Sequence, residues 1–381
     1  MDERILKQKT FDNTLEWNEA GYDGTGITVW NMESNATHGI MSRQRILDAA
    51  PNATAINATH GLVIKNKMLI KEEVYDDGIA IPADFFIDRH NISILTQSHG
   101  GGSDSRYAAI TDLYRLLRTK HNLTLFNSTG NDGSDGVKGG ALPPTEAIYV
   151  GACMMFKDNA NDIRMCNYSS LGDEYEEVDF STFVGKAGVN GTSFSTPYLA
   201  GIAALLQQRY GRDLTSGEIY QYFKMIAQPI DSGHPCDKHE RYDYWSGYGI
   251  PILPKVDKKF IRMTVGSKEY KVDEGTCVMD VAPFIRFQRT FVPVAFVALA
   301  LGASVIWNDR DKSVTMYKGD DAIKMWVGEH FYHHNENAYY MDVVPIIQDR
   351  RTFVPIAWVA EGLNCKIGWV ADKQEVLIIE G

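Results

Sequence analysis

The sequence has little of what marks a disulfide scaffold, a membrane protein or a nucleic-acid-binding protein. Its 381 residues include only five cysteines, and no two of them form a Cys-x-x-Cys pair. An odd number at wide spacing favours free thiols in a reducing compartment over a disulfide framework or a structural zinc site. No apolar run reaches the roughly 18 residues that a membrane span needs. The net charge of −11 argues against a nucleic-acid partner, because such binders usually carry a basic face.

The start of the chain also lacks a signal peptide. Met1–Arg4 are polar, and no apolar core follows them. We therefore expect synthesis in the cytoplasm. Export by another route and a trimmed start are the alternatives.

The first region, residues 1–254, alternates short β-like runs with helical ones, which predicts a parallel sheet with helices on both faces. In such sheets the ligand lies beyond the carboxyl ends of the strands. The predicted strands are 27–30, 53–57, 92–95, 123–126 and 147–150. The predicted helices are 39–49, 107–120, 195–209 and 216–227.

The second region, residues 255–381, repeats itself after a linker at 251–255. Arg289–Pro293 returns as Arg351–Pro355, and Trp307 returns as Trp369, each 62 residues later. Self-similarity at a constant period indicates a structural repeat. We predict a smaller α+β domain built from two 62-residue repeats, at about 259–320 and 321–381, each β-rich with one helix.

A serine nucleophile is indicated by Gly191-Thr192-Ser193, which precedes a helix rich in small residues with Pro197 near its start. A serine at a helix N-terminus has its geometry fixed, and its backbone N–H points towards a bound carbonyl. The alternative is an N-cap serine of a buried helix. Gly-Thr-Ser-x-x-x-Pro in this context resembles the signature of the subtilisin-like (S8) serine proteases. The resemblance covers about residues 17–254 and implies their fold and their endopeptidase activity.

That resemblance assigns roles to further residues. Asn131, in Gly130-Asn131-Asp132-Gly133 after a predicted strand, would donate its amide to the oxyanion, although a plain turn fits the same residues. Ser98 and Gly100 match the segment that pairs with the substrate backbone, and a flexible Gly-rich loop is the alternative. The facing wall of the specificity pocket would consist of Ser128, Thr129 and Gly130.

The base and its carboxylate follow the first predicted strand. His38, in His38-Gly39, precedes a helix and then Ala-Pro-x-Ala, as in short subtilases. His60 follows the next strand and is expected to be structural, and His99 matches a variable position. The first strand runs on to Glu33, where the family has the Asp that orients the base. Asp23 and Asp48 are poorer candidates for this carboxylate, because neither ends the strand. A misoriented base lowers kcat by up to roughly 10⁴, so Glu33 decides between an active enzyme and a relic.

The C-terminal region, from about Lys259, resembles the stalk module named after the N-terminal domain of copper amine oxidases. The resemblance rests on Arg-Thr-Phe-Val-Pro, the helix after it and the Trp on the next strand. It implies an adhesion or spacer element that binds cell-wall material or an assembly partner. We predict no copper site, because His330, His333 and His334 occur in one repeat only and are expected to be surface histidines in a loop.

Together these features predict a serine endopeptidase that acts on a polypeptide substrate through Glu33, His38, Ser193 and Asn131. One alternative is a catalytically impaired structural or adhesion protein with the subtilase fold. Another is a single-use maturation protease of a phage or cell-surface assembly, for which a virion location is expected. Calcium is often bound in the family, but no Asp-rich loop identifies a site here.

Overall fold

The computed structural model describes residues 3–65, 68–76, 78–98, 114–133, 147–156, 159–172, 178–185, 190–230, 232 and 241–381. Contacts between Cα atoms divide the chain into two compact units, Met1–Val256 and Asp257–Gly381. None of the described helices is long and apolar enough to cross a membrane.

The first unit has seven helices among its described residues. They are α1 (Glu3–Phe11), α2 (Thr14–Glu19), α3 (Thr37–Ala49), α4 (Ala83–His90), α5 (described over 114–121), α6 (Thr192–Tyr210) and α7 (Ser216–Ile226). Its strands are β1 (Thr28–Asn31), β2 (Thr54–Asn57), β3 (Thr59–Lys65), β4 (Met68–Asp76), β5 (Ile79–Ile81), β6 (Ile92–Gln97), β7 (Thr124–Ser128), β8 (Ile148–Met155), β9 (Ile163–Met165), β10 (Phe180–Phe183), β11 (Ala227–Gln228) and β12 (Ile250–Pro251).

The central sheet has the order β10-β8-β7-β6-β1-β2, and every pair along this path is parallel. Among the described strands of this sheet, only β9, which pairs with β8, is antiparallel to its neighbour. All residues of β1, β6 and β7 are buried, as is typical of a parallel sheet covered on both sides.

The two faces of the sheet carry different helices. Alternate side chains of the strands, among them Trp30, Leu95 and Leu125, form one cluster with Phe86 of α4 and Tyr114 of α5. On the other side α6 contacts β1, β6, β7, β8 and β10, and α3 packs beside α6. The predicted parallel sheet with helices on both faces is therefore confirmed.

Several elements of this unit were not predicted. They are the helices α1, α2 and α4 and the antiparallel sheet β3-β4-β5. Strand β10 was also missed, because its sequence Phe-Ser-Thr-Phe is neither a continuous apolar run nor an alternation of apolar and polar residues.

The second unit contains two helices and fourteen strands. They are β13 (Phe260–Thr264), β14 (Glu269–Val272), β15 (Gly275–Val278), β16 (Phe284–Arg286), β17 (Arg289–Pro293), α8 (Val294–Ala300), β18 (Ser304–Asn308), β19 (Ser313–Lys318), β20 (Asp321–Trp326), β21 (Phe331–His334), β22 (Asn337–Tyr340), β23 (Ile346–Gln348), β24 (Arg351–Pro355), α9 (Ile356–Gly362), β25 (Lys366–Val370) and β26 (Glu375–Ile379).

The elements β13 to β19 recur in the same order as β20 to β26, which confirms the α+β domain of two repeats. The repeats exchange their last hairpins: β25-β26 pairs onto β13 of the first repeat, and β18-β19 pairs onto β20 of the second. Strands β17 and β24 pair antiparallel about Val292 and Val354, which are 62 residues apart. Because each repeat completes the other's sheet, the two share one core.

Candidate active site

The candidate site lies at the point where the strand order of the central sheet reverses. The chain passes from β1 to β2 on one side, and then to β6, β7 and β8 on the other. In parallel sheets a crevice opens beyond the carboxyl ends of the two strands at such a point. Glu33 follows β1 and Ser98 follows β6, so both lie at this crevice.

Ser193 lies in the first turn of α6, and its side chain is buried. Gly191 precedes the helix with φ 129, a backbone conformation that favours glycine. Pro197 has no N–H, so the carbonyl of Ser193, four residues earlier, lacks its helical donor. Ser98 Oγ donates to that carbonyl oxygen at 3.3 Å, and Ser193 Oγ donates to the carbonyl of Ser98 at 3.3 Å. The nucleophile candidate is thus tied to the end of β6 by two reciprocal hydrogen bonds.

Asn131 is exposed beside the start of α6, and its amide orientation follows from its partners. The backbone N–H of Thr192 donates to Asn131 Oδ1 at 2.8 Å, and Thr192 Oγ1 donates to the same oxygen at 3.1 Å. Since a backbone N–H can only donate, the Oδ1 atom must face Thr192. The NH₂ group is therefore the edge of the amide that does not bond to Thr192, and an oxyanion donor would use that edge.

Glu33 is buried, and its Oε1 lies 3.4 Å from Nδ1 of the half-exposed His38, which is at the start of α3. This separation is long for a hydrogen bond, and contacts of this kind can tighten when substrate binds. The contact requires Gly39, because a Cβ there would lie 1.9 Å from the carbonyl oxygen of Ser34 and 2.9 Å from Glu33 Cβ. Glycine thus lets the first turn of α3 pass close to the chain at Glu33.

His38 contacts Phe194, the residue that follows Ser193 on α6. Its ring lies 5.3 Å from that of Phe194. Within the described ranges no hydrogen bond joins His38 to Ser193, whose hydroxyl donates to Ser98 instead.

Hydrogen bonding by Glu33 raises the pKa of His38 from its usual 6.5, and burial opposes this effect. The neighbouring carboxylate favours the charged imidazolium. In a serine hydrolase the base becomes an imidazolium after it takes the serine proton, so a carboxylate in this position stabilises that state.

The predicted substrate-binding residues lie around the same crevice. Ser128 and Thr129 are buried at the end of β7. The carbonyl of Gly130 accepts from Ser170 N at 3.0 Å and from Thr192 Oγ1 at 3.2 Å, which joins this loop to the start of α6. Gly100, together with His99, lies outside the described residues.

His60 is remote from this site. Its ring is 6.1 Å from that of Trp30 and 6.0 Å from that of Tyr114, which places it in the apolar cluster on the α4 side of the sheet. Two other residues of the site, Thr192 and Arg45, were not predicted. Thr192 was visible only as part of the motif, and Arg45 had no sequence signal beyond its spacing of seven residues from His38.

Over the described ranges, no group of three or more His, Cys, Asp or Glu side chains is placed to hold a metal ion. His333 and His334 lie on β21 (Phe331–His334), not in a loop as predicted, whereas His330 is an exposed residue of the bend just before that strand. His330 contacts the carbonyl of Met341 and His334 contacts Asp321, both at 2.8 Å. The His330 and His334 rings thus bond to different partners.

Comparison with known proteins gives different results for the two units. The family model of the copper amine oxidase N-terminal domain matches residues 252–298 and 271–378, which confirms the resemblance of the repeats. A search of curated proteins found no match.

Among solved structures, a cold adapted subtilisin-like serine proteinase matches with 16% identity and a TM-score of 0.41, over 61% of this chain and 90% of that chain. The serine protease MycP1, described as an essential component of the type VII (ESX-1) secretion system, matches with 13% identity and a TM-score of 0.41, over 66% of this chain and 88% of that chain. The first of these belongs to the family that the motifs of the first unit resemble. At these values the likeness supports no inference about activity.

Proposed function

We propose that the first unit is a serine endopeptidase. The observation that carries this proposal is the convergence of four side chains at one crevice: the Glu33–His38 pair beside Phe194, Ser193 in the first turn of α6, and Asn131 oriented by Thr192. In the proposed reaction His38 takes the proton from Ser193 Oγ as the oxygen attacks the scissile carbonyl. The Asn131 amide and the Ser193 N–H stabilise the oxyanion. The imidazolium of His38 then protonates the leaving amine as the C–N bond breaks, and water hydrolyses the resulting acyl-enzyme with His38 again as the base.

A fluorophosphonate probe tests the proposal, because it reacts only with an activated serine. We expect the full chain to be labelled at Ser193 and to cleave a casein substrate, and Ser193→Ala to abolish both. Ser195→Ala is the matched control, since Ser195 is equally buried in the same turn and its hydroxyl donates to the carbonyl of Thr192. A folded wild-type chain that takes no label and cleaves no peptide would refute the proposal.

The second candidate function is a catalytically impaired protein that keeps this fold. The bond from Ser193 Oγ to the Ser98 carbonyl and the 3.4 Å separation of Glu33 and His38 favour it. Glu33→Asp distinguishes the two candidates. An impaired protein gains no activity from the change, whereas an enzyme limited by this carboxylate changes its labelling rate. A single-use maturation protease would cleave itself or an assembly partner, so mass spectrometry of the native assembly should find a new terminus.

We also propose that the second unit binds a cell-wall polymer or an assembly partner. An aromatic patch on the sheet that contains β20, β21 and β22 consists of Phe331 and Tyr340, which are exposed and paired across strands, and Trp326 on β20, which is half-buried. The same positions of the first repeat hold Thr264, Glu269 and Val278, so the repeat folds without these aromatic rings. Exposed apolar groups that the fold does not need indicate a contact surface.

Replacing the aromatic patch by its first-repeat counterparts (W326T, F331E and Y340V) should abolish co-sedimentation with purified cell-wall sacculi. Leu299→Ala, at an exposed apolar residue of α8, is the control. Equal sedimentation of both variants would exclude the patch, and no sedimentation of the wild-type chain would exclude the cell wall.

A further inference from the structure

Arg45 is a buried arginine on the same helix as His38. It lies seven residues, or nearly two turns, further along α3, so the two side chains leave the same side of the helix. Only 4% of Arg45 is exposed. A buried guanidinium needs acceptors for its donors, and those acceptors show what Arg45 holds together.

Two side chains of α3 converge on Phe194, the residue that follows the nucleophile candidate. Arg45 Nε donates to the carbonyl of Phe194 at 3.3 Å, and the His38 ring lies against the Phe194 ring. The helix that carries the base is thus attached to the turn that carries Ser193.

The other donors of Arg45 anchor this attachment. Nη2 donates to the carbonyl of Phe183, at the end of β10, and to Gln8 Oε1, both at 3.1 Å. Nη1 donates to Asp48 Oδ2 at 2.6 Å, and the guanidinium lies 4.5 Å from the centre of the Tyr198 ring. Gly185 leaves the room for it, because a Cβ there would lie 2.5 Å from the guanidinium carbon.

We infer that Arg45 is a positioning residue for the peptidase reaction: it holds the Ser193–Phe194 turn of α6 in register with His38 on α3. This inference rests on the proposed function. A lysine could keep the charge but not the planar set of donors directed at three carbonyl or amide oxygens and a carboxylate. The distance between base and nucleophile would then no longer be set by this contact.

Kinetics of Arg45→Lys provide the first test, with Arg209→Lys as the matched control. Arg209 is also 4% exposed and lies over aromatic rings, but it is near the far end of α6, about 24 Å along the helix from Ser193. We expect Arg45→Lys to lower kcat about 100-fold, because a displacement of about 1 Å has that effect. KM should stay within roughly threefold, and the control should retain its kcat. An equal loss in both variants would show a general effect on folding and overturn the inference.

A thiol at position 193 tests the same register without relying on turnover. The pH dependence of alkylation of Ser193→Cys, followed by peptide mapping, reports the pKa of the new thiol. Beside His38 it should lie at least about one unit below the usual 8.5 or so, and adding Arg45→Lys should return it towards that value.

The thiol pKa and the wild-type labelling separate the two ideas. A lowered thiol pKa in a chain that takes no fluorophosphonate refutes the peptidase. If Arg45→Lys reverses that shift, the result still supports the inference that Arg45 holds the Ser193–Phe194 turn in register with His38. The same thiol pKa with and without Arg45→Lys overturns the inference, whatever the activity.

Discussion

Gly39→Ala tests the contact between the carboxylate and the base most directly. A methyl group at position 39 would meet the Ser34 carbonyl oxygen at 1.9 Å, whereas real Cβ contacts essentially never fall below 3.0 Å. Either the chain at Glu33 and Ser34 or the first turn of α3 must therefore move by about 1 Å. A displacement of that size lowers the rate of a positioned reaction about 100-fold.

The sign of the change in the free energy of unfolding distinguishes Gly39→Ala from an ordinary glycine-to-alanine change in a helix. Glycine to alanine inside a helix normally stabilises by up to about 1 kcal/mol. Overpacking against a backbone carbonyl costs about 1–3 kcal/mol. We expect Gly39→Ala to be less stable than the wild type by about 1–2 kcal/mol in urea unfolding, and its peptidase rate to fall about 100-fold.

Gly61→Ala is the control for this experiment. Gly61, on β3, also has no positive φ, and a Cβ there would approach only the ring of Tyr75 at 3.1 Å, a side chain that can turn. Its activity should equal that of the wild type. If Gly39→Ala is as stable as the wild type or more so, and keeps its peptidase rate, then the close passage of α3 past Glu33 does not set the geometry of the base.

Three further predictions concern charge. Because Glu33 raises the pKa of His38 above 6.5, the imidazole becomes neutral, and able to act as a base, only above that pH. A pH–rate profile should therefore show the acid limb of kcat/KM above pH 6.5, and Glu33→Gln should move this limb to lower pH. Burial raises the pKa of Asp12 to about 6 from 3.8, so its stabilising contribution is complete below pH 3.8 and is lost as pH rises through 6. Relative to the wild type, Asp12→Asn should gain up to about 3 kcal/mol between those limits in urea unfolding, and an unchanged difference would contradict this. Asp280→Asn removes an exposed pair with Arg351, and Asp342→Asn removes one with Arg289. Exposed pairs contribute little to stability, so each variant should keep the thermal midpoint of the wild type, and a clear drop would mean that the pairs hold the repeats together.

The sequence predicted the structure best where a segment's own residue pattern is typical of one kind of element. The β1, β6 and β7 runs, the start of α6 and the 62-residue period each depend on neighbouring residues or on exact recurrence. Strand β10, which was not predicted, lacks such a pattern because two polar residues interrupt its apolar run without alternating with it. The histidines at β21 were misplaced for a related reason: a strand made of aromatic residues and histidines shows no regular alternation.

The sequence by itself determined the parallel sheet covered by helices, the two-repeat plan and the candidates Ser193, His38, Glu33 and Asn131, since these follow from periodicity and motif. Only the tertiary structure decided how those candidates meet. The reciprocal bonds of Ser98 with Ser193 join residues 95 positions apart, and the bond from Arg45 to Phe194 spans 149. The exchange of hairpins between repeats likewise depends on which edge strand is nearest in space. Contacts between distant segments depend on the packing of the sheet and the helices, which no local pattern encodes.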